Sequence, residues 1–168
     1  AILPILIFIG LEISAQSFGA TPKHHYPAVA IACIPALAAL VVIQTDKLIA
    51  AGATPGSQLA SELYGLRILA SGFIITSLLW AGVTAALIDH TLFKASGWCM
   101  AAATFTLFGI IHSPFQDGRM FFPWAIGNLP IESRGRSPFE LTMAYILLAL
   151  IFFGWGLWYR NQQSHSSP

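Results

Sequence analysis

Charge is the scarcest property of this sequence. Eight Lys and Arg and seven Asp and Glu make up 9% of its 168 residues, against about 25% in a typical soluble domain. A net charge of +1 supplies no basic surface for a nucleic acid, whose binding rests on clustered cations. Cysteine is almost as rare. Cys33 and Cys99 both fall in apolar stretches, without the CxxC spacing of a metal or redox motif, so both are expected to be packing residues. No basic segment precedes the first apolar run, as a secretory signal would require. The opening Ala-Ile-Leu-Pro is expected to be the start of a C-terminal piece of a longer membrane protein, with further spans upstream.

What the sequence has instead is long apolar runs. Hydrophobic residues make up 56% of the chain and mean hydropathy is +0.71. From Ile68 to Ile88, 21 residues pass without an Asp, Glu, Lys or Arg. At about 1.5 Å rise per residue such a run covers the roughly 30 Å hydrocarbon core of a bilayer. The pattern recurs, and the expected fold is an all-α membrane protein with about five transmembrane helices. They are placed at 3–18, 28–45, 66–88, 97–113 and 139–158. Residues 1–160 form the polytopic region and 161–168 a polar tail. Pro35 is expected to interrupt the second span. The long connection 115–138, with Phe121-Phe122-Pro123-Trp124, is expected to lie in the interface or fold back into the membrane.

Small residues at helical spacing, Ala28, Ala32 and Ala36 in one span and Ser77, Ala81 and Ala85 in another, would let helices approach closely in lipid. Five alternating spans put Lys23, Lys94 and Arg160 on one face and Lys47, Arg67, Arg119, Arg134 and Arg136 on the other. Three against five favours the second face as cytoplasmic. Short loops and the absence of glycosylation sequons point to a bacterial inner membrane.

Glu12 is the sharpest single residue. A carboxylate among Phe8-Ile9-Gly10-Leu11 costs on the order of 3 kcal/mol at mid-membrane and is kept for an ion, a proton, a polar solute or a partner. Gln16, one turn on, shares its face. His112 closes the fourth span beside Ser113-Pro114, where it would bond unpaired helix carbonyls or stand in a proton path. Glu12, Gln16 and His112 are the candidate substrate or ion pathway. Adjacent His24 and His25 could ligate a metal, but a site needs three or four converging ligands and the sequence offers scattered ones. Asp89-His90 reads as an ordinary helix end. No catalytic residue, metal or cofactor is expected, and the chain is not expected to be an enzyme. An enzyme would need His24, His25, Asp89, His90, His112 and Asp117 on one membrane face, and the span count puts His112 and Asp117 on the other.

The run Leu6-Ile7-Phe8-Ile9-Gly10-Leu11-Glu12, then Pro27-Ala28-Val29 and Ile34-Pro35-Ala36, resembles the late spans of the xanthine/uracil (nucleobase:cation symporter 2) permease family. The likeness covers roughly residues 3–45. Glu12 stands where that family has an apolar residue or Met, so the resemblance lends it no role. What the resemblance implies is transport of a nucleobase or another small polar solute, coupled to a proton or cation, by alternating access. The competing reading is a non-catalytic membrane subunit or assembly factor, which needs only packing surfaces.

Overall fold

The computed structural model describes residues 22–54, 56–115, 119–124 and 138–165. The expected first span with Glu12 and Gln16, Asp117, and residues 125–137 lie outside the described residues. The described residues are all-helical, with no strand. A 3-10 turn, Lys23–His25, leads into α1 (Tyr26–Ala50). There follow α2 (Ser57–Ala70), α3 (Phe73–Ile88), α4 (Leu92–Leu107) and α5 (Phe139–His165).

Two of these helices, α1 with its leading turn and α5, are long and apolar enough to cross a membrane. A third crossing is reached only if α2 and α3 are taken together, and they are bent by 75° at their junction. The continuous span expected over 66–88 is therefore two helices. The reason is local: Ser71 takes extended backbone and Gly72 is left-handed at φ 68°, a conformation that costs an L-residue about 1–2 kcal/mol and glycine nothing. The expected fourth span, 97–113, is likewise a shorter helix, α4, followed by irregular chain from Phe108. Pro35 behaves in the opposite way: α1 runs through it, and the proline is buried. Neighbouring helices make a proline tolerable inside an apolar helix. At the far end α5 continues to His165, into the stretch expected to be tail.

Three helices stop with the same device. In each, the left-handed residue just past the end and the residue after it donate N–H bonds back into the last turn, the Schellman pattern. At α1 these are Gly52 to Ile49 and Ala53 to Leu48, and at α4 Gly109 to Thr106 and Ile110 to Phe105. At α3 they are His90 to Leu87 and Thr91 to Ala86, with His90 at φ 54°. Glycine announces the first and last in the sequence; the histidine does not.

The helices α1, α3, α4 and α5 run alternately up and down. His25 at the start of α1 meets Asp89 at the end of α3. Ser96 near the start of α4 donates its hydroxyl to the Ala149 carbonyl of α5 at 2.9 Å, and Gly156, further up α5, packs on Phe93. Lys23, Lys94 and Arg160 therefore share one end of the bundle, and Lys47, Arg67 and Arg119 the other. Close packing relies on small side chains: Ala95, Cys99, Ala102 and Ala103 line the inner face of α4, and Ala149 faces them from α5. A Cβ on Gly82 would lie 2.7 Å from the Trp98 ring, so α3 and α4 meet at a glycine. On α1 the inward stripe is Ala28, Pro35, Ala38 and Ala39, and Ala36 of the expected stripe is exposed. Large apolar side chains cover the outside, including Leu37, Leu40, Ile43 and Leu48 on α1 and Leu147, Leu150 and Ile151 on α5. So much contiguous apolar surface is foreign to water-soluble monomers and consistent with membrane integration.

Candidate functional site

The two interruptions meet. The segment from Phe108 to Phe115, leaving α4, crosses the bend between α2 and α3. The His112 N–H bonds to the Ser71 carbonyl at 3.1 Å. A Cβ on Gly72 would stand 2.3 Å from the Ile110 carbonyl oxygen, so glycine serves twice here, for its backbone angle and for the approach of a second backbone. The 16 residues of α3, at about 1.5 Å each, place this crossing roughly 24 Å from the Asp89 end of the bundle. That is less than the roughly 30 Å of bilayer hydrocarbon.

His112 holds the crossing together. Its side chain is 2% exposed and has a partner on each nitrogen. Nδ1 lies 3.2 Å from the Ile68 carbonyl, an acceptor in the last turn of α2 that also takes the Ser71 N–H at 3.3 Å. A carbonyl only accepts, so Nδ1 carries the proton. Nε2 lies 2.9 Å from the Tyr145 hydroxyl of α5, and the Trp80 Nε1–H of α3 donates to that same hydroxyl at 2.8 Å. With Trp80 donating, the Tyr145 proton points to Nε2. The chain runs Trp80 to Tyr145 to His112 to the Ile68 carbonyl, each donor matched to an acceptor in the neutral Nδ1–H tautomer. Four elements are tied in this way, and the His112 and Tyr145 rings lie nearly parallel, 5.9 Å apart. The residue was expected to bond the open carbonyls of its own helix; the carbonyl it bonds belongs to α2.

Beside the crossing a groove of about 380 Å³ opens against α1. It is lined by Ala39, Val42 and Ile43 of α1, by Phe73, Ile110 and Phe115, and by Ser71 and Gly72 of the bend. Arg67 and Asp46, joined in an ion pair, belong to the same lining. The groove's volume is within the range of sites that hold small molecules, and its lining combines apolar side chains with a charged pair. The Arg119 guanidinium lies 4.1 Å from the centre of the Phe115 ring. Phe121 returns to bury itself at the end of α4, its N–H bonded to the Phe108 carbonyl at 2.9 Å. The described part of the long connection thus folds back onto the bundle.

Sequence reasoning marked His112 but not its partners. Nothing in the sequence sets Trp80 and Tyr145 apart from the other aromatic residues of the apolar runs. The break itself was signalled only by Ser71-Gly72 inside an apolar run, where an isolated glycine is weak evidence.

At the opposite end of the bundle, the described residues bring together His24, His25 and Asp89. His25 Nε2 lies 2.8 Å from Asp89 Oδ1, and His24 Nε2 lies 3.9 Å from the same oxygen. The hydrogen bond from His25 holds the Asp89 carboxyl below the usual carboxylate range, helped by the nearby charges of His25, His24 and Lys94. Asp89 was expected to be an ordinary helix end. His112 does not join this group, so an assembly of all the histidines on one face does not form. Cys33 and Cys99 are free thiols.

No protein-family model, curated protein or solved structure matches this chain.

Proposed function

We propose that this chain is an integral membrane protein that takes part in moving a small polar solute across the bilayer, with a nucleobase such as xanthine or uracil as the solute class. The observation that carries the reading is the meeting of two helix interruptions beside a groove. Irregular backbone at membrane depth is tolerated where protein buries it or where it lines a cavity. In secondary transporters broken helices are where solute and coupling ion are held. Here the apolar lining of the groove suits the faces of a flat heterocycle, and Asp46 and Arg67 offer an acceptor and donors to its edge. A proton or cation is the proposed coupling partner, and the bacterial inner membrane the proposed location. Glu12 and Gln16, outside the described residues, keep their place as proposed pathway residues beside His112.

A second reading, a non-catalytic membrane subunit or assembly factor, is favoured by the exposed apolar faces of α1 and α5. Uptake of radiolabelled xanthine and uracil into cells expressing the full chain separates the two. Transport predicts gradient-dependent uptake that falls at least tenfold in Arg67→Gln at equal membrane abundance. Absence of uptake of either solute, with the protein present in the membrane, would leave the subunit reading standing.

A further inference from the structure

We propose that His24, His25 and Asp89 form a binding site for a divalent transition-metal ion of the zinc class, which clamps the start of α1 to the turn between α3 and α4. The site lies at the opposite end of the bundle from the groove and stands independently of the transport reading.

The argument begins with convergence. Residues 64 positions apart in the sequence bring one carboxylate oxygen and two imidazole nitrogens within 4.8 Å of one another. A tetrahedral ion with ligands at about 2.0–2.1 Å needs its donor atoms a little over 3 Å apart. His25 Nε2 and His24 Nε2 stand 2.8 and 3.9 Å from Asp89 Oδ1, which brackets that separation, so side-chain rotations can bring the three donors to it. The two rings lie 4.3 Å apart and tilted by 59°, facing a common point without stacking.

Both backbones are fixed before any ion arrives. The 3-10 turn closes with the His25 N–H on the Pro22 carbonyl at 2.9 Å, and Pro27 follows at the first turn of α1. Asp89 is held by the Schellman end of α3, and the next turn starts with the Lys94 N–H on the Thr91 carbonyl. The 3-10 turn also packs directly on α3. Little conformational freedom remains to be lost on binding.

The donor set selects the ion. Two imidazoles and one carboxylate suit zinc, cobalt, nickel or copper, whereas magnesium and calcium prefer oxygen ligands. On binding, the His25 Nε2 lone pair goes to the metal and the proton now shared with Asp89 moves to Nδ1 or to solvent. Three protein ligands leave the fourth position to water. His24 and Asp89 are exposed, so the ion has an open path, and the neighbouring Lys94 charge moderates the affinity.

The test uses the full chain in detergent, with its affinity tag removed and Cys33→Ser to silence the exposed thiol. After chelation, Zn2+ is titrated by calorimetry and by thermal unfolding. One Zn2+ per chain and a raised unfolding temperature are expected, with no shift from Mg2+ at equal concentration. His24→Ala, His25→Ala and Asp89→Asn should each weaken Zn2+ at least tenfold, while Glu140→Gln, at the start of α5 and the other end of the bundle, leaves it unchanged. Unfolding in chelator shows whether each variant remains folded. Co2+ should give visible d–d absorption that is lost in the same three variants. The proposal is overturned by absence of Zn2+ binding to the parent chain. It is equally overturned if the three variants bind Zn2+ as the parent does, or if Glu140→Gln weakens it as strongly as they do.

Discussion

Replacing Gly72 by alanine tests the crossing on which the transport reading rests. At φ 68° an L-side chain costs about 1–2 kcal/mol. The new Cβ would also fall 2.3 Å from the Ile110 carbonyl oxygen and 3.0 Å from both Ile111 Cα and Cγ2. Two of these three atoms are backbone, so no side-chain rotation relieves the clash. Displacing packed structure costs about 1–3 kcal/mol, and losing the bond from the His112 N–H to Ser71 adds about 1 kcal/mol. The sum is on the order of 3–6 kcal/mol, a large share of the stability of a domain this size. Cys99, 1% exposed in α4, provides the readout. In a Cys33→Ser background, its labelling by a maleimide during denaturant unfolding in detergent reports opening of the bundle. Gly97→Ala is the control: nothing lies within 4 Å of its Cβ and it sits inside α4, so alanine should stabilise by up to about 1 kcal/mol. Equal stability of Gly72→Ala and the parent would refute the close approach of the two interruptions.

Further outcomes follow from the same geometry. Tyr145→Phe keeps the ring but leaves the Trp80 N–H and the His112 Nε2 unmatched in the interior, and should cost about 1–3 kcal/mol in the Cys99 labelling assay. Ser96→Ala removes one buried bond between α4 and α5; in lipid or detergent the loss should be near 0.6 and no more than about 1.7 kcal/mol. His90→Gly relieves the left-handed strain at the end of α3 and should raise stability by up to about 1 kcal/mol. The Asp89 carboxyl titrates below its ordinary value because His25 bonds to it. Its contribution to stability is therefore complete above about pH 4, the unfolded value, and is lost as pH falls through the native value. Unfolding of the parent and Asp89→Asn should differ at pH 6 and converge as the pH drops below 4; a difference that stays constant with pH would count against the pair.

Composition and run length determined the all-helical class of this protein and marked two helices apolar enough to cross a membrane. An apolar stretch with no charge in it must hydrogen-bond its own backbone, which makes it helical. The positions of α1 and α5 could therefore be read from the residues alone. The placement of Lys23, Lys94 and Arg160 at one end also followed, since it depends only on alternation of direction. Length alone misled in two places. The 66–88 and 97–113 runs are predominantly apolar, and apolarity carries no information about a bend, so the break at Gly72 and the early end of α4 stayed hidden. At Pro35 a rule for isolated helices gave way to the packing around it. What only the tertiary structure decided is which distant groups meet. His112 acquires Tyr145, Trp80 and the Ile68 carbonyl, and His24 and His25 acquire Asp89. Hydrogen bonds and metal coordination act over about 3 Å and depend on direction, and neither distance nor direction between remote residues is written in their order along the chain.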